Sequence, residues 1–278
     1  MKRFLSILLT FLLLCCIAPQ SVNAESRNGT TYYVDSNSGS DNNDGTSKNS
    51  AWKTLNKVNE MTFSAGDVIL FKSGEIFRGT LELKGQGVEG APIIIDKYDG
   101  DKKPLFVGEE ASNYVIYLNN TEYIELNNLD ISANYTTKGE RKGVYVYAKD
   151  KGVLNHVYLR NLDIHDIKNN QVYTNNNSFK NTGGIIVQIA GNTIPTKYDD
   201  LRIENCNIDN VDRTGMMLVI SSWANRTGAN YGSGRWYPST NVVVENNNFK
   251  NIGGDGIVVQ QTDGALIQHN IFNGFAER

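Results

Sequence analysis

Disulfides, a basic surface and a membrane span are all missing from this chain, and each absence removes a class of function. Of the three cysteines, Cys15 and Cys16 fall in an N-terminal targeting segment, so only Cys206 survives processing and no intrachain disulfide is possible. Cys206 stands where a small buried hydrophobe fits. The formal charge is −3, and losing Lys2 and Arg3 with the leader leaves 25 basic against 30 acidic residues, a charge of −5. That balance argues against a polyanion as partner, although a local basic cleft can exist on an acidic protein, and nothing in the sequence supports nucleic acid binding. The apolar run Phe4 to Ala18 is too short and wrongly flanked for a stable membrane span.

Residues 1–24 read instead as a signal peptide. Lys2 and Arg3 form its positive region, and Val22-Asn23-Ala24 is a small-residue cleavage site, so the expectation is a secreted protein cut after Ala24. The 254 residues left are enough for one domain with a large core.

What is present is repetition. One phrase recurs five times: YIELNNLDI from Tyr123, VYLRNLDI from Val157, LRIENCNI from Leu201, VVVENNNF from Val242 and ALIQHNIF from Ala265. Aligning Asn128, Asn161, Asn205, Asn246 and His269 gives steps of 33, 44, 41 and 23 residues. A second phrase answers it, with GVYV at Gly143, GIIV at Gly184, GMML at Gly215 and GIVV at Gly256. Self-similarity at this length marks a solenoid in which each repeat is one coil. Alternation such as Val157, Leu159, Leu162 and Ile164 turns branched side chains inward, and Asn at the bend tolerates a left-handed corner. The fold class expected is therefore all-β, a right-handed parallel β-helix. Steps longer than the shortest must leave the coil as outer loops.

Residues 25–64 are expected to form a polar loop and a capping helix, and residues 65–278 the β-helix. The loop YYVDSNSGSDNNDGTSK holds Asp35, Asp41 and Asp44, oxygen ligands that suit calcium but lack the Gly and Glu positions of an EF-hand; a turn-rich loop without metal is the main reading. In SAWKTLNKVNEM, Trp52, Leu55 and Val58 fall three apart on one helical face, with Asn49 or Ser50 as N-cap. A β-helix needs such a cover for its open first coil.

The order YYVD, AWKTL, AGDVILF, RGTLEL and APIIIDKY, followed by IGGDGIVV and ALIQHN, resembles secreted pectate-lyase-like β-helix proteins. It is similar to the carbohydrate-active branch that includes glycoside hydrolase family 141. That resemblance implies a polysaccharide substrate of plant type, fucose-containing or xylan-like. Apart from calcium at the loop aspartates, no cofactor is expected.

The residues before the repeating glycines, Lys142, Gly183, Thr214 and Asp255, should stack as a ladder at the start of one sheet. Asp255, in GGDGI, is the first catalytic candidate, because a carboxylate at a strand start can serve as acid, base or nucleophile on a glycosidic bond. Its competing role is a turn cap between glycines. Asp212, in NVDRTG one coil earlier, is the partner candidate, with Arg213 beside it to orient a carboxylate or a sugar hydroxyl; a plain surface pair competes with that reading. His165 and Asp166 form a second-tier pair. The insertion Ser221 to Thr240 carries Trp223, Arg226, Tyr231, Arg235, Trp236 and Tyr237 without apolar periodicity, which suits sugar binding by flat rings and hydrogen-bonding side chains, or packing over its own coil. Lys168 to Thr182 would form the opposite wall.

Three functions compete. The leading one is a secreted glycoside hydrolase with paired carboxylates. A lyase would need a uronate substrate, Arg213 or Lys142 as base and usually calcium, but the coils lack a dense acidic cluster. A non-catalytic glycan-binding β-helix would use the aromatic loop alone. The chain also shows no cover after GFAER at its end, so the expectation is an N-terminal part of a longer β-helix, monomeric when complete.

Overall fold

The computed structural model describes residues 29–170, 181–225 and 235–275. The signal-peptide reading therefore lies outside the described residues. Three parallel sheets run along the chain, and each coil contributes one strand to each. The first sheet takes Ile124–Asn127, Val153–Arg160, Lys197–Glu204, Val243–Glu245 and Leu266–Gln268 from successive coils. The second takes Asp130–Asn134, Asp163–Lys168, Asn207–Val211, Asn248–Ile252 and Ile271–Phe275. The third takes Leu81–Leu83, Tyr114–Asn119, Lys142–Lys149, Gly183–Ala190, Thr214–Ser221 and Ile257–Val259. Among the described residues no helix is long and apolar enough to cross a membrane.

The register stacks like on like. Ile131, Ile164, Ile208, Phe249 and Phe272 form one inner column, in which Phe249 and Phe272 stack at 4.9 Å. Leu126, Leu159, Ile203, Val244 and Ile267 form another. Truncating a buried rung such as Ile164 to Ala costs about 2–5 kcal/mol by lost burial and cavity formation. Cys206 packs inside with no exposure, and burial pushes its thiol up to about 12.

The corners are left-handed. Asn128, Asn161, Asn205, Asn246 and His269 all have φ between 50° and 58°, and Asn161 Nδ2 donates to Asn128 Oδ1 at 2.5 Å. Two further columns of the same conformation run beside it: Asp166, Asn210 and Asn251, and Tyr123, His156, Asp200 and Asn241. The repeating glycine of the second phrase has a different cause, close approach. A Cβ on Gly143, Gly184 or Gly215 would sit 2.6–2.7 Å from the carbonyl oxygen of the next glycine in the column and against Ile164, Ile208 or Phe249.

The N-terminal end is covered as expected, with different boundaries. The helix spans only Leu55–Glu60, and Thr54 caps it by accepting from the Lys57 amide. Asn49 and Ser50 lie in a separate 3-10 turn capped by Ser47, and Trp52 precedes the helix, buried and bridged to Val34. Leu55 and Val58 enter the core. Asn59 completes the cover by donating to the Thr80 carbonyl and accepting from the Glu82 amide, two groups on the open edge of the third sheet. Thr31–Val34, in the segment expected to be loop, pairs with Val68–Lys72 as the outermost strand of the first sheet.

The three loop aspartates do not converge on a calcium site. Asp35 accepts from the Asn37 and Ser38 amides, Asp41 from the Lys53 and Thr54 amides, and Asp44 from the Thr46 amide. Asp35 and Asp44 each close their own turn, while Asp41 ties the loop to the start of the helix. Among the described residues no three acidic, His or Cys side chains cluster as metal ligands do.

Candidate functional site

The ladder at the start of the third sheet forms as its sequence pattern requires. Lys142 pairs with Gly183, and Gly183 with Thr214. The Gly215 amide bonds the Asp255 carbonyl, which sets Asp255 on the next rung. Lys142 is buried and pairs with Glu140 at 3.0 Å, and Thr214 is buried completely. Asp255 breaks the pattern: its side chain is 51% exposed, and its Oδ2 lies 3.1 Å from Arg213 Nη2.

Arg213 therefore orients Asp255, on the rung above, rather than its sequence neighbour. Gly254 makes that possible, because a Cβ there would run into the Arg213 guanidinium, and one on Gly253 would run into the Asp212 carbonyl. The glycines before Asp255 thus admit the rung below.

Asp212 occupies a different setting. Its side chain is 11% exposed; Oδ1 lies 3.2 Å from Lys168 Nζ, and Oδ2 accepts from the Asn169 and Asn170 amides at 2.9 and 3.3 Å. The carboxylate expected as a partner to Asp255 is thus turned down onto the previous coil, where it anchors a turn. His165 is held between Asp130 and Asp166, with ring nitrogens at 2.9 and 2.7 Å from their oxygens. The Asp130 hydrogen bond, then Asp166, outweigh burial and raise its pKa to about 9.

The aromatic insertion divides. Ala224–Asn225 and Arg235–Trp236 pair antiparallel, so the segment leaves and returns as a hairpin. Trp223, expected to bind sugar, is 7% exposed and belongs to the interior cluster. Tyr237 packs against the same cluster, and its backbone amide bonds the Trp223 carbonyl at 3.1 Å. The aromatic character of these two follows from core packing. Trp236 is half-buried, and Arg235 pairs through its backbone with Asn225. Arg226 and Tyr231 lie outside the described residues, as does most of the Lys168–Thr182 wall.

Sequence reasoning missed a cluster on the same sheet. Tyr114, Tyr117, Tyr145 and Tyr147 gather on the outer face, with Tyr117 directly across from Tyr145. The signal was legible: in NYVIYLN and GVYVYAK the tyrosines take outward positions while Ile116, Leu118, Val144 and Val146 face in.

Chemically, the site offers a solvent-reaching carboxylate at a strand start, fixed by a guanidinium, above a closed rung. That arrangement can move a proton or attack a carbon centre while holding its geometry.

Comparison with known proteins agrees with the fold. Residues 114–276 match the family described as right handed beta helix region. The chain is 30% identical to a lacto-N-biosidase of Bifidobacterium longum subsp. longum, over 87% of this chain and 20% of that protein. The solved glycoside hydrolase family 136 lacto-N-biosidase from Eubacterium ramulus superposes with a TM-score of 0.76 at 27% identity, covering 89% of this chain and 45% of that one. Its selenomethionine form gives 0.70 at 26%, over 84% and 43%. The chain thus spans about a fifth of the curated relative and under half of the solved one. It belongs to the right-handed parallel β-helix family, with glycoside hydrolases among its relatives.

Proposed function

We propose that this chain carries the β-helix of an exported glycoside hydrolase that acts on lacto-N-biose-containing oligosaccharides, with Asp255 as a catalytic carboxylate and Arg213 as its positioning residue. The observation that carries the reading is the exposed Asp255 held at 3.1 Å by Arg213, at the end of an otherwise buried ladder. The substrate comes from the relatives: 30% identity extends over 87% of the chain to a protein named for that disaccharide. Family 136 relatives favour it over the plant-type, family 141 substrate that the sequence phrases suggested. Export through residues 1–24, cut after Ala24, belongs to the same reading.

In this account Asp255 faces the scissile bond, and Arg213 keeps its carboxylate from rotating away. Asp212 holds the turn beneath and leaves the reacting role to Asp255. Hydrolysis adds water across the glycosidic bond, so it creates one new reducing end and no double bond. The test is a digest of lacto-N-biose-terminated oligosaccharides, xylan and fucosylated plant glycans, followed by reducing ends and by ultraviolet absorbance. New reducing ends from the first substrate, without absorbance, are expected. Absorbance from a uronate polymer would replace hydrolysis by elimination, and cleavage of xylan alone would restore the plant-type substrate. Mass analysis of the exported protein, expected to begin at Glu25, tests the leader.

A further inference from the structure

We propose that the outer face of the third sheet carries a second binding surface, for a neutral glycan chain, built on Tyr114, Tyr117, Tyr145 and Tyr147 and separate from Asp255. The glycan class rests on the reading of this protein as carbohydrate-active; the surface itself rests on geometry. Tyr114 and Tyr117 stack at 4.5 Å, Tyr117 and Tyr145 at 5.3 Å, and Tyr145 meets Tyr147 at 5.6 Å. All four are half-buried and none belongs to the interior cluster, so the core does not explain them.

The polar tips matter as much as the rings. Tyr145 donates to Gln188 Oε1 at 2.7 Å. The hydroxyls of Tyr114, Tyr117 and Tyr147 make no hydrogen bond to any described residue. Burial, then Tyr114, Tyr147 and Glu82, push the Tyr117 phenol up to about 12, so it remains a protonated donor at neutral pH. An apolar ring with a hydroxyl tip matches a pyranose, which has C–H faces and a hydroxyl rim.

Charge disfavours an acidic occupant. Lys142, 5.0 Å over the Tyr145 ring, is already paired with Glu140, and Glu82 faces Tyr117 across the next strand, which disfavours uronates.

The patch is also set apart. Tyr145 is followed in register by Ile186 and then Met217, 1% and 8% exposed, so the outer face closes before the Asp255 strand. Three strand steps separate Tyr145 from the Asp255 rung, roughly 14 Å. A glycan held at the tyrosines would keep the enzyme on its source without occupying the reacting site.

The experiment measures retention on resin-bound lacto-N-biose-terminated oligosaccharide and on xylan, together with hydrolysis of a short soluble substrate. It compares wild type, Asp255→Asn, the pair Tyr117→Phe with Tyr147→Phe, and the pair Tyr117→Ala with Tyr147→Ala. The Phe pair keeps the rings and should bind about tenfold more weakly, the worth of two lost hydrogen bonds, with soluble turnover unchanged. Asp255→Asn should be retained like wild type. Retention of the Phe and Ala pairs at wild-type strength overturns the proposal, as does failure of wild type to hold either glycan. Should the Ala pair lose its far-ultraviolet dichroism, the Phe pair alone decides. Tyrosine-dependent retention without hydrolysis would sink the catalytic reading and leave this surface standing.

Discussion

Two linkers on successive coils, Asn210 to Gly215 and Asn251 to Gly256, join the same two sheets and each carries one aspartate, yet they do opposite things. In the lower linker Asp212 turns down, with 11% of its side chain exposed and its oxygens filled by Lys168 and two backbone amides. In the upper one Asp255 turns out, half exposed, and meets a single guanidinium. The residue type is identical and the backbone positions are two apart, since Gly253 rather than Asp255 lies over Asp212. In a solenoid, a shift of that size decides whether a carboxylate satisfies the fold or faces the solvent. The lower linker ties its carboxylate into the fold, and the upper one presents its carboxylate to the solvent.

The contrast can be broken in graded steps. Replacing Asp255 by Asn should lower turnover by about 10²–10⁴-fold, the usual worth of a positioned proton-transfer group, while the thermal midpoint stays put. Gly254→Ala should cost about 10–100-fold, because the new Cβ displaces Arg213 and with it the reacting carboxylate; its KM should move less than its kcat. Asp212→Ala should act on folding instead, losing about 1–3 kcal/mol as two amides and Lys168 lose their acceptor, readable as a fall of several degrees in the melting midpoint.

The smallest effect concerns the coil below. Asp130 and Asp166 raise the His165 pKa from 6.5 to about 9, so the folded state binds the proton more tightly than the unfolded chain. That stabilisation is full below pH 6.5 and fades as pH rises to 9. Melting curves of wild type and His165→Asn should converge across this interval. Parallel curves would show that the two carboxylates do not hold a charged imidazole.

The corners and the inner columns were legible because they repeat. Asn128, Asn161, Asn205 and Asn246 announce a left-handed turn by residue type, and Ile131, Ile164 and Ile208 announce a column by spacing. The left-handed column through Tyr123 and His156 was hidden because these two are not turn formers; the stacked coils impose that conformation on them. Trp223 misled for the opposite reason. It stands among glycines and polar residues in sequence, but the chain folds it back into the interior. At the site, the ladder from Lys142 to Asp255 followed from alignment, whereas the direction of each side chain depended on contacts between coils. Arg213 reaching up and Asp212 reaching down leave no trace in NVDRTG.

One paired measurement addresses the central claim: turnover and melting midpoint of Asp255→Asn and Asp212→Asn on the same lacto-N-biose-terminated substrate. The account predicts a crossed result, with Asp255→Asn folded at wild-type stability but inactive and Asp212→Asn less stable but active. Equal loss of turnover in both variants, with both melting like wild type, would make Asp212 a reacting carboxylate and contradict the division of roles drawn from the two linkers.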